Sequence, residues 1–122
     1  MTPGPHTIGP VRSLEEARQT MKDHQVRHLP VLDGGRIVGL LSERDLLLVE
    51  TLPGVRPADV RVEEAMVQDV FTVPPSAPVA EVVESMIDRK LGSAIVTDDE
   101  RVVGVFTTID ALQALHQLLE RR

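Results

Sequence analysis

The sequence contains no cysteine, tryptophan or tyrosine, and its only phenylalanines are Phe71 and Phe106. Without cysteine there is no disulfide framework, no thiolate metal site and no cysteine nucleophile. Because aromatic rings are so scarce, the core must be built from Val, Leu, Ile and Met side chains. A planar ligand would have to be held between aliphatic side chains rather than stacked on aromatic rings.

An excess of positive charge is also absent. The 19 acidic residues outnumber the 13 basic ones, which gives a formal net charge of −6. General binding to nucleic acid or to an anionic membrane needs a basic surface, so neither is expected. No apolar run approaches the ~20 residues of a membrane span, and the N-terminus shows no signal-peptide pattern. We therefore expect a cytoplasmic protein with no nucleic-acid partner and no membrane partner.

The chain consists of one unit used twice. The segments Gly39–Asp45 and Gly104–Asp110 share the order glycine, apolar residue, any residue, hydroxyl residue, two further residues and aspartate. The offset of 65 residues holds without a gap on both sides of this signature. A fixed internal period determines the architecture. Each repeat alone is only roughly 55–60 residues long, a size at which burial is marginal, so the halves are expected to share one core.

Each repeat is predicted to have the order strand, helix, strand, strand, helix, within an α/β (α+β) fold. Apolar residues at helical spacing and capping residues predict the helices, and short apolar runs bounded by turn residues predict the strands. The predicted elements are a strand at 6–8, a helix at 14–25, strands at 28–32 and 37–41, and a helix at 42–51; then a short helix at 59–67, a strand at 71–73, a helix at 78–90, strands at 93–97 and 102–106, and a helix from 108 onward. The repeats are assigned to residues 1–52 and 59–122, with a Pro- and Gly-containing linker at 53–58.

These features resemble the CBS domain, named after cystathionine β-synthase, which occurs in tandem pairs called Bateman modules. The element order, the duplication and both copies of the glycine-to-aspartate signature carry the resemblance, which covers nearly the whole chain. It implies a module in which two CBS repeats pack with pseudo-twofold symmetry. Counterparts of Asp59–Ala65 are missing before Met1, so we expect the first repeat to lack the short lead-in helix that family members commonly have.

The resemblance also implies a function. Paired CBS repeats are regulatory modules that often bind AMP, ADP, ATP or S-adenosylmethionine in clefts between the repeats. In the family, the signature hydroxyl approaches the ribose-phosphate, the aspartate bonds the ribose hydroxyls, and residues of the first two strands frame the adenine. Carried over to this sequence, the first cleft comprises Thr7, Ile8, Arg27, His28, Leu29, Pro30, Ser42, Arg44 and Asp45. The second comprises Thr72, Val73, Ser93, Ala94, Ile95, Thr107 and Asp110.

The two clefts differ in their expected affinity for phosphate. A hydroxyl at a helix N-terminus lies where free N–H groups favour an anion, and a neighbouring cation strengthens such a site. The first cleft has Arg44 inside the signature, with Arg27 and His28 close in sequence. The second has Ile109 at the position of Arg44, and its nearest cations are Arg89 and Lys90. The first cleft is therefore expected to be the better phosphate site.

Other roles for these residues remain open. Ser42 with Asp45, and Thr107 with Asp110, also have the form of helix capping boxes, a role compatible with ligand contact. His24 and His28 are four residues apart, but a predicted strand begins at His28, so no metal site is expected. No catalytic group is expected either, because there is no serine elbow, no cluster of metal ligands and no phosphate-binding loop.

The sequence thus predicts a ligand-sensing regulatory module that is not an enzyme and requires no cofactor. The alternative is a module for dimerisation or assembly whose clefts stay empty. A homodimer is expected in either case, because the leucines of the last helix and the run Leu46–Val49 cannot all be buried within one chain. The regulated protein partner is not indicated by the sequence.

Overall fold

The computed structural model describes residues 2–3 and 5–121. Its contacts divide the chain into two compact units. The N-terminal unit is Pro5–Val70, and the C-terminal unit contains the described residues from Phe71 onward together with strand β1, Thr2–Pro3. The expectation that the first repeat lacks a lead-in helix concerns the chain before Met1, and Met1 lies outside the described residues.

The N-terminal unit follows the order predicted for the first repeat. Its elements are α1 (Leu14–His24), β2 (His28–Asp33), β3 (Arg36–Ser42), α2 (Glu43–Glu50), a 3-10 turn (Pro57–Asp59) and the short helix α3 (Val62–Ala65). Helix α1 begins after Ser13, whose hydroxyl accepts a hydrogen bond from the Glu16 N–H at 3.1 Å. It buries its apolar stripe against β2, α2 and the 3-10 turn, so that one aliphatic core holds the unit together. The buried core residues are Leu14, Ala17, Met21, Leu29, Val31, Leu41, Leu46 and Val62.

Strands β2 and β3 form an antiparallel hairpin. The pairs run from His28 opposite Ser42 to Asp33 opposite Arg36, with an irregularity at Val31/Leu32. The turn between the strands contains Gly34 and Gly35, both at positive φ, which glycine adopts without steric cost.

The strand predicted at 6–8 is reduced to one parallel bridge between Ile8 and Val31. The Ile8 N–H donates to the Pro30 carbonyl at 3.1 Å, and the Leu32 N–H donates to the Ile8 carbonyl at 3.0 Å. Pro10 lacks an N–H and cannot extend such a ladder. The segment therefore occupies the expected place without forming a continuous strand.

The short helix predicted at 59–67 is interrupted because the chain pairs with the segment before α1. The Leu14 N–H donates to the Val60 carbonyl at 2.9 Å, and the Val62 N–H donates to the Arg12 carbonyl at 2.8 Å. These bonds hold Arg61 in an extended conformation opposite Ser13. Only Val62–Ala65 remains as helix α3.

The C-terminal unit repeats the same order. Its elements are β4 (Thr72–Val73), α4 (Val79–Arg89), β5 (Ser93–Asp98), β6 (Arg101–Thr107) and α5 (Thr108–Glu120). The strand order of its sheet is β1-β6-β5-β4, with β4 parallel to β5 and the other neighbours antiparallel. Val82, Met86 and Ala94 are buried in its core, and both phenylalanines pack against them.

In each sequence repeat, a short segment (around residue 2 or residue 67) pairs with a strand of the other repeat. Thr2 pairs with Val105 of β6 in the C-terminal unit. At the equivalent positions 65 residues away, Val67 pairs with Leu40 of β3 through two backbone hydrogen bonds of 2.9 Å. The boundary of the sequence repeat and the boundary of the compact unit are therefore not the same, and α3 packs with the N-terminal unit.

None of the helices within the described residues is long and apolar enough to cross a membrane.

Candidate functional site

The aspartate of the first signature closes a capping box at the start of α2. The Ser42 N–H and the Ser42 hydroxyl both donate to Oδ2 of Asp45, at 2.8 and 2.9 Å. The Asp45 N–H donates to Oγ of Ser42 at 3.2 Å. The capping arrangement predicted from the sequence is thus present. It fixes the carboxylate in one orientation.

The same box leaves a defined set of groups for a ligand. Both bonds to the Asp45 side chain converge on Oδ2, and within the described residues no hydrogen bond reaches Oδ1. The Glu43 N–H is also occupied, because it donates to the Arg27 carbonyl at 2.8 Å. Of the first three N–H groups of α2, only that of Arg44 makes no bond within residues 2–3 and 5–121. The helix start therefore offers one acceptor oxygen and one backbone donor.

His28 lies directly opposite Ser42 in the β2–β3 pair, and residues opposite each other in an antiparallel pair point to the same face. Burial lowers the pKa of His28 below its ordinary value of 6.5. The Asp45 and Glu43 carboxylates act against this lowering of the pKa, and the Arg27 guanidinium adds to it. His28 is therefore a neutral imidazole at pH 7. It is a hydrogen-bonding group near the aspartate rather than the cation considered from the sequence.

The remaining residues predicted for the first cleft are arranged along the neighbouring strands. The Ile8 N–H is bonded to the Pro30 carbonyl, which places Ile8 beside Pro30. The Leu29 and Pro30 side chains are fully buried, whereas Thr7 is exposed.

The cations of this unit lie at its surface. Arg27 and Arg44 are both exposed, and Arg44 is the second residue of α2. Arg44 thus combines an exposed guanidinium with a backbone N–H that makes no bond within the described residues.

The second signature has the same geometry in the C-terminal unit. The Thr107 N–H donates to Oδ2 of Asp110 at 2.8 Å, the Thr107 hydroxyl donates to the same oxygen at 3.2 Å, and the Asp110 N–H donates to Oγ1 of Thr107 at 3.3 Å. The Thr108 N–H donates to the Gly92 carbonyl at 3.1 Å, as Glu43 does to Arg27 in the first repeat. The two capping boxes are therefore equivalent down to the individual donors.

The surroundings of the second box are different. Ser93, which is buried, lies opposite Thr107 at the position of His28. Ala94 and Ile95 are also buried. Thr72 pairs with Ile95, and Val73 with Val96. This unit has neither the imidazole nor the arginine of the first site.

The Arg89 guanidinium lies 4.9 Å from the centre of the Phe71 ring, a cation–π distance. It therefore contributes to packing beside β4. The sequence analysis identifies Arg89 only as one of the two cations nearest to the second cleft.

No group of three or more His, Cys, Asp or Glu side chains that could hold a metal ion occurs among the described residues. The ring of His24 stacks on that of His6, with the ring centres 3.5 Å apart.

The sequence prediction missed a surface depression of about 610 Å³ beside α1 and α2. Arg18 and Lys22 border it, with Met21 and Leu46 at its apolar floor. The depression could have been anticipated from the spacing of Arg18 and Lys22, which lie one helical turn apart next to Met21.

The chain is similar to known proteins in sequence and in fold. The family model of the CBS domain matches residues 1–50 and 62–117. An inosine-5′-monophosphate dehydrogenase from Korarchaeum cryptofilum is 30% identical over 105 residues, which are 85% of this chain and 21% of the enzyme. The chain therefore spans about a fifth of that relative.

Two solved structures are similar over most of their length. AcuB from Vibrio cholerae has a TM-score of 0.83 and 30% identity, covering 98% of this chain and 89% of that chain. The CBS domain pair of protein MJ0100, in complex with 5′-methylthioadenosine and S-adenosyl-L-methionine, has a TM-score of 0.81 and 27% identity, covering 93% and 90% of the two chains. The mixed α+β fold and the duplication predicted from the sequence are confirmed, and the chain belongs to the CBS domain family as a pair of CBS domains.

Proposed function

We propose that the chain is a regulatory module that senses an adenosine-containing ligand such as AMP, ADP, ATP or S-adenosylmethionine. In this proposal Asp45 and Asp110 each accept hydrogen bonds from ribose hydroxyls, and no catalytic step takes place. The module passes the binding signal to a protein partner.

The observation that carries the proposal is the hydrogen bonding of the Asp45 carboxylate. One of its oxygens is fixed by two bonds from Ser42, and the other accepts no bond within the described residues. A carboxylate held in this way is ready to accept a hydroxyl donor without first being ordered, which lowers the entropic cost of binding. A hydrogen bond to a charged acceptor is worth roughly 1.5–3 kcal/mol.

The chemistry of the ligands in the MJ0100 complex supports ribose as the recognised group. S-adenosylmethionine and 5′-methylthioadenosine share adenine and ribose, and neither carries a phosphate. Recognition of that common part needs an acceptor for the ribose hydroxyls and apolar walls for adenine. Asp45, or Asp110 in the second repeat, supplies the acceptor.

A phosphate would meet different donors in the two repeats. At the first site the free N–H and the guanidinium of Arg44 lie on one helical turn, whereas Ile109 stands at this position in the second repeat. We therefore propose that a phosphorylated ligand prefers the first site. A ligand without phosphate should discriminate less between the two sites.

The proposal is tested by thermal denaturation in the presence of AMP, ADP, ATP, S-adenosylmethionine and, as a control for the base, GMP. A ligand at about 100 times its dissociation constant stabilises the fold by roughly 2.7 kcal/mol, which is a rise of several degrees in melting temperature for a domain of this size. Adenosine compounds are expected to produce this rise and GMP is not. If no adenosine compound changes the melting temperature at millimolar concentration, ligand sensing fails as the function.

An assembly module is the second candidate, and exposed apolar residues favour it. Leu47, Leu48, Leu112 and Leu118 are each more than half exposed, and uncovered apolar surface of this kind marks interfaces. We propose a homodimer under both functions, so self-association alone does not separate them. Ligand-dependent stabilisation does.

A further inference from the structure

The depression beside α1 and α2 of the N-terminal unit is positively charged. Its volume is about 610 Å³, and four charged side chains line it. Arg18, Lys22 and Arg27 are the cations, and Glu43 is the one acidic group among them. The formal net charge of the whole chain is −6. The depression is therefore a local exception to the overall charge of the protein.

Two of these cations are not neutralised within the described chain. Arg18 forms an ion pair with Glu50. Lys22 and Arg27 form no ion pair with any of the described residues, and both are exposed. Their charges therefore remain available to carboxylates of another molecule.

Apolar side chains line the same depression. Met21 and Leu46 form its floor and are 4% and 3% exposed. Val26 is half-buried, and Leu47 is 52% exposed. Apolar surface bordered by cations is complementary to a segment that carries carboxylates beside apolar side chains. A small inorganic anion would leave the apolar part of the depression uncovered.

The charges of the depression occur in only one of the two repeats. Moving Lys22, Arg27 and Glu43 by the repeat offset of 65 gives Ile87, Gly92 and Thr108. The capping boxes that contain the proposed ribose contacts are, by contrast, present in both repeats. The depression is therefore a separate feature of the first repeat, and each chain has one.

Helix α2 connects the depression to the candidate ligand site. Glu43, Leu46 and Leu47 line the depression. Successive residues of an α-helix are rotated by about 100°, so Arg44 and Asp45 point to roughly the opposite side of the same turn. A segment in the depression and a ligand at Asp45 would thus contact one helical turn from two sides. This arrangement favours a protein partner of the module as the occupant.

We propose that the depression is the docking site for an acidic amphipathic segment of a protein partner. Carboxylates of the segment pair with Lys22 and Arg27, and its apolar side chains pack on Val26 and Leu47. Glu43 repels carboxylates placed near it, which restricts the register of the segment. A second copy of the chain is a poorer occupant, because a two-fold contact at this surface brings like charges together. The docking does not rest on ligand sensing and can hold if that proposal fails.

The test is fluorescence anisotropy, without nucleotide, using a labelled synthetic peptide in which glutamates flank a stripe of leucines. We expect one peptide to bind per chain, with an affinity that falls as salt is raised. Replacing every glutamate of the peptide with glutamine, or every leucine with serine, should weaken binding at least about tenfold.

Variants of the protein locate the contact. Lys22→Glu combined with Arg27→Glu should raise the dissociation constant at least about tenfold, because each change removes an attraction and adds a repulsion. The matched control, Lys90→Glu with Arg121→Glu, changes the net charge equally outside the depression and should bind as the wild type does. All four residues are exposed, so both variants should keep the circular dichroism spectrum of the wild type.

The apolar contact has its own pair of variants. Leu47→Ser should weaken peptide binding without changing its salt dependence. Leu48→Ser should leave binding unchanged, because Leu48 is 60% exposed but does not line the depression.

Three results overturn the proposal. The first is a wild type that does not bind the peptide, including one that binds phosphatidylserine vesicles instead, which would assign the depression to a membrane surface. The second is a control pair that weakens binding as much as the substitutions at Lys22 and Arg27. The third is a wild-type dimer, observed by sedimentation velocity, that only the substitutions at Lys22 and Arg27 dissociate, because a second copy then covers the depression.

Discussion

At the scale of single residues, the two signature aspartates hold the start of a helix and are also the proposed contacts for ribose. At Asp45 these roles use different oxygens of the carboxylate. At Asp45 the cap uses Oδ2 and leaves Oδ1 without a bond within the described residues. The two roles can therefore be separated by substitutions that retain one oxygen acceptor.

We expect Asp45→Ala and Asp110→Ala each to lower the free energy of unfolding by about 1–2 kcal/mol, because each removes the acceptor of a capping box. The costs should be similar, since the hydrogen bonds in the two boxes are equivalent. Asp45→Asn should cost less, because the amide oxygen still accepts from the Ser42 N–H. Urea denaturation measures all three values. A loss of only a few tenths of a kcal/mol in both alanine variants would show that the boxes do not stabilise the helices.

His28 makes the stability of the fold depend on pH. Because burial lowers its pKa in the folded state, the unfolded chain binds a proton more readily than the folded one. Stability therefore falls as the pH drops through 6.5, the ordinary pKa of the group, and the loss levels off below the folded pKa. His28→Gln should reduce the slope of unfolding free energy against pH in this window by up to about 1.4 kcal/mol per pH unit.

The measurement is urea denaturation of the wild type and His28→Gln from pH 8 to pH 5. Carboxylates titrate in both proteins, so only the difference between the two slopes reports on His28. Identical slopes would mean that the imidazole is not protonated on unfolding in this range.

At the scale of elements, the repeat offset and the hydrophobic periodicity were enough to predict most of the helices and strands. Helices α1 and α4 begin and end within a residue or two of the predictions at 14–25 and 78–90, because their capping residues and apolar stripes are local. The helix predicted at 59–67 was wrong in its extent. Its interruption at Arg61 depends on pairing with Ser13, nearly 50 residues earlier in the chain, and no local pattern contains that contact.

The site could be predicted only in part for the same reason. The spacing of Ser42 and Asp45 specifies a capping box directly. The lowered pKa of His28 arises first from burial and then from the Arg27 guanidinium, and the bond from Glu43 to the Arg27 carbonyl depends on tertiary packing. Neither the lowered pKa nor this hydrogen bond could be predicted from the sequence.

Gly39 shows how an element can require a residue with no side chain. A Cβ at this position would lie 2.8 Å from Cγ of Met66 and 3.0 Å from the Val67 carbonyl oxygen. Val67 is the residue whose backbone bonds extend β3. Gly39→Ala should therefore lower the free energy of unfolding by roughly 1–3 kcal/mol.

Met66→Ala in the same chain should recover part of that loss, because it removes the side chain that the new methyl group meets. Gly92→Ala is the control, since nothing lies within 4 Å of a Cβ there. Thermal denaturation of the single and double variants gives the coupling. Strictly additive effects of Gly39→Ala and Met66→Ala would contradict this packing.

At the scale of the whole molecule, the duplication predicts two ligand sites of the same design but different charge. With Asp110→Ala as background, binding reports on the first site, and with Asp45→Ala as background it reports on the second. Raised salt should weaken AMP binding more at the first site, because screening acts on the Arg44–phosphate attraction. Arg44→Ile, which copies Ile109 of the second repeat, should abolish the difference in salt dependence. Equal salt dependence in both backgrounds before this substitution would exclude Arg44 from phosphate binding.

The most direct test of the central claim is calorimetric titration of the wild type, Asp45→Asn and Asp110→Asn with AMP and with 2′-deoxy-AMP. We predict that the wild type binds AMP and that each substitution weakens binding at its own site about ten- to several-hundred-fold, since charge-assisted bonds of roughly 1.5–3 kcal/mol are lost. We further predict that 2′-deoxy-AMP binds the wild type more weakly than AMP, because it lacks one of the two ribose donors. Wild-type affinity for AMP that is unchanged in both variants, or the absence of binding at millimolar concentration, would contradict the account.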